Sequence, residues 1–356
     1  MHDWEGILRR VAVAALALLF TATVQANTPP AEAVPMGPRF AKCYADPALE
    51  VPPCDFATWR SDEQVISWLN FLYDNQRFAV LDKALTRAAY ADKRLDDGHH
   101  YASAAFWALR RMTRGPAPQT QHKYSLGQWE KTAPHSLVVP FARARFAYDD
   151  AWRVRGGGYG SSVSRESWEL YGIRLNEAVQ ILTAAPAESR NSPLWHDLML
   201  TVKLDIPGSD AAEVFLKAVG RWPDYYNFYH SMAGRLVPRW GGSWEAVDAF
   251  IAESQKHVGT KDARSMYSRL YSALHRQGYD PGETRMDWKT MKASFEDLVT
   301  RYPALIYKNR YASYACYARD KDAFSRAMRD LPVSTLQPDQ WLRGHSYEAC
   351  MRWAAL

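Results

Sequence analysis

The sequence has 356 residues, of which 47% are hydrophobic, and it includes 14 Trp and 20 Tyr. This composition excludes an intrinsically disordered chain and leaves room for one large folded domain or two ordinary ones. The net charge of +5 comes from lysines and arginines that never form a run longer than a pair, which argues against a nucleic-acid-binding protein.

The first residues have the pattern of a cleaved signal peptide. Arg9 and Arg10 precede a short apolar run at 11–24, and the tripeptide at 24–26, Val-Gln-Ala, offers small residues where signal peptidase needs them. The run is too short for a comfortable membrane span. We expect residues 1–26 to be removed by cleavage after Ala26, with an uncleaved anchor as the alternative. The mature protein is then expected in the periplasm or outside the cell, without a stable membrane span.

Four cysteines agree with an oxidising destination. They lie near the two ends of the mature chain: Cys43, Cys54, Cys316 and Cys350. Three pairings are possible, and nearest-neighbour bridges are favoured because they close short loops and staple each end. A zinc site needs paired Cys or His at metal-ligand spacing, which the sequence lacks, so neither a metal nor another cofactor is expected.

Residues 27–55 are rich in proline and are predicted to be an extended segment, followed by one helical-repeat domain over 56–356. Within that domain, apolar residues recur at spacings of three and four, and no stretch alternates with period two. This pattern predicts helices that include 62–73, 78–90, 101–111, 136–153, 164–184, 211–219, 244–254, 263–277, 287–301 and 322–331. The polar stretch at 116–132 is predicted to be a surface loop.

Two helices within 222–255 form the hairpin that defines the predicted architecture. Ser243 is placed to cap the second helix, and Gly241 and Gly242 permit backbone angles that a side chain would forbid. Prolines 193 and 223 are separated by thirty residues, close to the period of helix-turn-helix repeats. The sequence therefore predicts an all-α fold, a tetratricopeptide-like array of stacked helical hairpins, or α-solenoid.

Two short motifs carry a resemblance to a known family. RGGGYG at 155–160 and PRWGGS at 238–243 resemble domain-of-unknown-function family 4034 of bacterial proteins, whose members pair an RGxGY linker with a PRWGG turn. The likeness covers residues 60–254, and 302–331 resembles a single tetratricopeptide unit. The resemblance implies a tetratricopeptide-like helical region and carries no activity with it.

The two motifs also supply the candidate binding residues. If helical pairs stack in register, their turns emerge on related edges. Arg155 and Tyr159 at one turn, with Arg239 and Trp240 at the other, are then predicted to line one surface that receives a carboxylate or an acidic peptide. The alternative is that the arginines pair with nearby acids and that Trp240 is a packing anchor.

Several catalytic patterns are absent from the sequence. The glycine loop at 156–162 lacks the lysine and the preceding strand of a phosphate-binding loop. The pair His99-His100 follows two aspartates without an HExxH motif, and a helix cap is favoured over a metal site. No nucleophile elbow for a Ser-His-Asp enzyme is present.

We therefore expect a non-enzymatic, exported module that binds a protein or peptide in the bacterial envelope. The alternative is a cell-wall-active glycoside hydrolase or lytic enzyme that uses Glu166, with Glu169 three residues on and Trp168 and Tyr171 nearby. A third reading is a purely structural or inhibitory subunit.

Overall fold

The computed structural model of the chain describes residues 60–115 and 118–355. These ranges are helical, with no strand beyond one isolated bridge between Arg94 and His100, so the predicted all-α class is confirmed. The predicted signal peptide, 1–26, and extended segment, 27–55, lie outside the described residues. The α-helices of the described ranges are α1 Asp62–Asp74, α2 Phe78–Tyr90, α3 Tyr101–Arg114, α4 Gln119–Thr132, α5 Val139–Arg155, α6 Arg165–Ala184, α7 Pro193–Lys203, α8 Ala211–Arg221, α9 Tyr226–Arg235, α10 Trp244–His257, α11 Met266–Arg276, α12 Trp288–Arg301, α13 Leu305–Tyr317, α14 Lys321–Arg329 and α15 Tyr347–Ala354.

The described residues form two compact units. Together these units lie within the range 56–356 that is predicted as one helical-repeat domain. The N-unit comprises 60–91 and Ala104–Leu194, and the C-unit comprises Asp92–Ser103 and 195–355. In the N-unit, α1 packs on α2, α2 on α4, α4 on α5, and α5 on α6. In the C-unit, each helix from α8 to α15 contacts the next, and α9 also contacts α11.

Helix starts follow the capping residues that the sequence offers. Ser61 accepts a hydrogen bond from the amide of Gln64, whose side chain returns to the Ser61 amide, which makes a capping box before α1. Ser164 caps α6, and Ser243 caps α10 as predicted by accepting from the amide of Ala246. The bounds of most predicted helices agree with the structure to within a few residues.

One predicted element is wrong. The stretch predicted as a loop, 116–132, contains helix α4, whose buried face includes His122, Leu126 and Trp129. The Trp129 ring is fully buried, and its Nε1 donates to Oδ1 of Asp82 at 3.0 Å. Only a few large apolar residues mark this face and the remaining positions are polar, so composition hid a stripe that has helical spacing.

The carboxyl end of the chain is covalently closed. Cys316 on α13 is bonded to Cys350 on α15, with Cα atoms 5.8 Å apart, which confirms one of the two favoured bridges. Cys43 and Cys54 lie outside the described residues. Within the ranges that the structure describes, no helix is both long and apolar enough to cross a membrane.

Candidate functional site

Arg155 ends helix α5 in the N-unit and lies between two tryptophan rings. Its guanidinium carbon is 5.0 Å from the ring centre of Trp152 and 4.8 Å from that of Trp168. Its Nη1 atom donates to the carbonyl oxygens of Gly156 and Gly158, at 3.0 and 3.1 Å. Cation–π contacts and hydrogen bonds thus fasten the glycine loop to the end of the helix.

The aromatic side chains of this region face solvent. Tyr159 is 53% exposed, and Trp168, in the first turn of α6, is 40% exposed. The loop between them is held by its own hydrogen bonds: Nε1 of Trp168 donates to the carbonyl of Gly160 at 3.4 Å, and the Ser162 hydroxyl donates to the carbonyl of Tyr159 at 2.8 Å. We call Arg155, Tyr159 and Trp168 the aromatic–basic surface.

Charged residues beside this surface are paired with one another. Arg153 binds Asp150 at 2.6 Å, as expected for an arginine next to acids on its own helix. Both acids of the alternative hydrolase prediction are exposed: Glu166 lies in the first turn of α6, and Glu169 binds Arg165 at 2.9 Å. A general acid in glycoside cleavage needs a shielded environment, so this exposure does not favour the hydrolase reading.

The second predicted motif, at 238–243, is a tight turn in the C-unit. Gly241 has φ of 84°, in the left-handed region, and follows a short 3₁₀ segment, Pro238–Trp240. A Cβ at Gly242 would lie 1.9 Å from the carbonyl oxygen of Leu236. The two glycines are therefore required by backbone geometry and close approach, so the turn itself explains this part of the motif.

The basic and aromatic residues of that turn stack on each other. The guanidinium of Arg235 is 4.7 Å from the Trp240 ring centre, and that of the exposed Arg239 is 5.6 Å away. Arg235 also donates to the carbonyl of Leu204 at 3.0 Å and pairs with Asp205. The four predicted binding residues are divided between the two units, and the single edge that is predicted to hold them stays a prediction.

The pair His99-His100 directly precedes α3, and each imidazole binds a carboxylate. His99 Nδ1 is 2.9 Å from Oδ2 of Asp97, and His100 Nε2 is 2.9 Å from Oδ1 of Asp224. Burial lowers the pKa of His100 to about 4. The charge and hydrogen bonds of His99 hold the pKa of Asp97 well below its usual range, although burial opposes this. These contacts join the loop before α3 to the C-unit core.

A buried arginine that the sequence analysis did not single out lies against this loop. Arg269 on α11 is 3% exposed, and its guanidinium carbon is 3.9 Å from the ring centre of Tyr226. Its Nη2 donates to the carbonyl of Asp97 at 3.1 Å, and the Tyr307 hydroxyl donates to the same carbonyl at 3.0 Å. A Cβ at Gly98 would lie 2.7 Å from ring atoms of Tyr302, which explains the glycine there.

A second buried arginine of the C-unit, Arg310 on α13, is bonded to residues 333–342, which we call the strap. The strap follows α14 in the chain and is hydrogen-bonded to α13. Oδ1 of Asn309 accepts from the Gln337 amide at 2.9 Å and from Nε1 of Trp341 at 3.2 Å, and a strap amide donates to Oγ of Ser313 at 2.9 Å. One face of α13 thus positions the whole strap.

Arg310, next to Asn309, is 8% exposed. Its Nε and Nη2 atoms donate to one oxygen, Oε1 of Gln340 in the strap, at 3.0 and 2.9 Å. The Gln340 amide nitrogen in turn donates to Asp339. Burial, with the nearby charge of Arg276, lowers the pKa of Arg310 to about 10. No carboxylate of the described residues forms an ion pair with this buried guanidinium.

His230 on α9 adds another polar group to this part of the core. Its Nε2 atom is buried and has no hydrogen-bond partner among the described residues. Its ring centre is 6.1 Å from that of His99. Burial and the positive charges of His99, Arg269 and Arg310 lower the pKa of His230 well below its usual value. The C-unit core therefore holds a neutral imidazole among buried positive charges.

One group of side chains has the spacing of metal ligands. The ligand atoms of Cys316, His345 and Cys350 lie within 4.8 Å of one another. Metal binding by cysteine requires the thiolate, and both sulfur atoms are engaged in the disulfide. In this form only the histidine is available as a ligand, so the group is not a metal centre.

Comparison with known proteins gives no identity for these sites. No family model matches the chain, and neither does any curated protein or solved structure.

Proposed function

We propose that this protein is an exported helical-repeat module that binds a protein or peptide partner in the bacterial envelope through the aromatic–basic surface. The observation that carries the proposal is the position of Arg155 between Trp152 and Trp168, beside the exposed Tyr159. Trp, Tyr and Arg are the residue types that dominate binding energy at protein interfaces. Here the loop hydrogen bonds hold them in place before a partner arrives, which reduces the entropy lost on binding.

The wider features of the proposal have separate support. The proposal includes two further features: the sequential helix pairs stack as a tetratricopeptide-like array, and the chain is related to domain-of-unknown-function family 4034. The packing of sequential helices in each unit agrees with such an array, and the backbone requirements at Gly241 and Gly242 give the PRWGG motif a structural reason. The Cys316–Cys350 bridge supports an oxidising compartment, which agrees with export.

The binding partner is expected to offer an acidic group to Arg155. Arg155 makes no ion pair with a described residue. Arg153, two residues earlier on the same helix, forms an ion pair with Asp150. A partner carboxylate placed against a guanidinium that is already held between two rings gains a charge-assisted hydrogen bond without ordering a flexible side chain.

The test places a photo-crosslinking amino acid at position 159 of the full chain. The protein is expressed in bacterial cells, and crosslinking is carried out in the intact cell envelope. The matched control places the same amino acid at Tyr124, which is 54% exposed and lies on α4 of the same unit. A discrete adduct at 159, absent at 124 and reduced at least about tenfold by Trp168→Ala, is the expected result. Equal adducts at both positions, or an adduct at 159 that Trp168→Ala leaves unchanged, would remove the proposal.

A further inference from the structure

We propose that Arg310 is the centre of a carboxylate-binding site in the C-unit, and that Gln340 of the strap occupies this site as an internal substitute for the ligand. The inference concerns a different unit from the aromatic–basic surface and does not depend on the function proposed above. It starts from the contact between the two side chains, in which two guanidinium N–H groups meet one amide oxygen.

A buried arginine that binds only a neutral group is uncommon, because the loss of hydration is usually balanced by an anion. The charge of Asp97 favours the charged form of Arg310 as well as that of Arg269, but no carboxylate of the described residues forms an ion pair with the Arg310 guanidinium. The guanidinium of Arg310 is bound by the side-chain oxygen of Gln340 instead. The amide nitrogen of Gln340 donates to the carboxylate of Asp339, so Asp339 is connected to Arg310 only through this glutamine. The strap thus gives Arg310 two hydrogen bonds but no direct counter-charge.

The geometry favours a carboxylate as the ligand. Nε and Nη2 form the edge of a guanidinium that pairs with the two oxygens of a planar carboxylate. The present occupant is a planar amide, which has the same shape as a glutamate carboxylate but offers one oxygen to both donors. A carboxylate in its place keeps both hydrogen bonds and adds the missing charge.

Two neighbouring groups extend the site. Arg276 on α11 is exposed, makes no ion pair with a described residue, and is close enough for its charge to act on Arg310. Its positive charge adds to that of Arg310. His230 has a buried Nε2 without a hydrogen-bond partner, and the charge of Arg310 acts on it in turn.

The ligand carboxylate belongs either to a small free acid or to an acidic side chain of a peptide, and both are tested. Isothermal titration calorimetry of the full disulfide-bonded chain is carried out with glutarate and with a glutamate-rich peptide, with inorganic phosphate as the comparison anion. Both carboxylate probes are expected to bind more tightly than phosphate, and the tighter of the two identifies the source.

Variants of the strap make the test specific. Gln340→Glu supplies the carboxylate from within the chain and is expected to weaken binding at least about tenfold, because the ligand must then displace an ion pair. Gln340→Ala removes the internal oxygen and is expected to strengthen binding. The matched control is Gln337→Glu, which adds the same charge to the strap at a residue whose main-chain amide, not its side chain, meets α13.

Neither Gln340 variant removes a buried charge, so both are expected to fold, and circular dichroism verifies this. The proposal is overturned if no carboxylate probe binds either the native chain or Gln340→Ala. It is also overturned if Gln340→Glu and Gln337→Glu weaken binding equally, since added negative charge on the strap, not occupation of the Arg310 site, would then explain the loss.

Discussion

Replacement of Asp149 by alanine is expected to destabilise the N-unit strongly. Asp149 on α5 is 8% exposed and accepts hydrogen bonds from three side chains. Nε and Nη2 of Arg145 each lie 2.8 Å from its carboxylate, Nε of Arg114 lies 2.7 Å away, and Oγ1 of Thr113 lies 2.5 Å away. Burial alone would raise the pKa of Asp149, but Arg145 and Arg114 overcome this and lower it. The carboxylate is therefore charged at neutral pH.

The magnitude follows from what remains after truncation. Arg145 is 3% exposed and packs over the rings of Phe106 and Tyr148, so it cannot turn to water when its partner is lost. Removing one partner of a buried ion pair costs about 3–5 kcal/mol, because the other charge stays buried. Arg114 is 42% exposed and can be hydrated, so it adds little to this loss.

The assay is urea unfolding at pH 7 followed by far-ultraviolet circular dichroism. The control is Glu130→Ala, which removes the exposed partner of Arg143, a pair at 2.8 Å, and is expected to cost no more than about 1 kcal/mol. The double replacement Arg145→Met with Asp149→Leu is expected to recover most of the stability, because no unpaired buried charge remains. A loss for Asp149→Ala as small as that for Glu130→Ala would refute the reasoning.

Three further outcomes are expected. Burial lowers the pKa of His275 to about 4, below its unfolded value of about 6.5, so its contribution to stability is complete above pH 6.5 and falls by about 1.4 kcal/mol per pH unit toward pH 4. His275→Gln should reduce the pH slope of the unfolding free energy over this range. Gly242→Ala should cost more than about 1 kcal/mol in urea unfolding, because its Cβ meets a main-chain carbonyl oxygen at 1.9 Å, whereas Gly220→Ala, where nothing lies within 4 Å, should be neutral or stabilising. Opening the loop between Cys316 and Cys350 with the double variant Cys316→Ser, Cys350→Ser should lower the unfolding free energy by up to about 4 kcal/mol, measured by urea unfolding under oxidising conditions.

Periodicity predicted most of the helices because their buried faces carry large apolar residues at regular spacing. It failed at α4, where Leu126 and Trp129 are the main apolar marks among polar neighbours. Caps such as Ser243 were predictable because a cap is a local feature, read within four residues of sequence. The left-handed backbone of Gly241 is a local feature of the same kind, whereas the requirement at Gly242 comes from the carbonyl of Leu236, six residues earlier.

The buried charges were not predictable in this way. Arg269 reaches the carbonyl of Asp97, 172 residues away, and Arg310 reaches Gln340, 30 residues away. In the sequence these arginines resemble any arginine on a helix surface, and only the packing of distant segments against them reveals their burial. A weak signal exists on α13, where polar Asn309 and Arg310 lie between Tyr307 and Tyr311. The exposure of Trp168 was equally hidden, because apolar residues at helical spacing ordinarily mark a core.

The disulfide between Cys316 and Cys350 has a consequence for the strap that lies between them in sequence. Because Cys316 and Cys350 are covalently joined, the strap lies within a closed ring. Gln340 then acts on Arg310 at the high effective concentration of a tethered competitor, of the millimolar kind that short linkers produce. An external acid competes with that local concentration to an extent set by how much more tightly a carboxylate binds than the Gln340 amide. Under the proposal for Arg310, the Cys316–Cys350 bond therefore limits how far Gln340 can move from the arginine that it occupies.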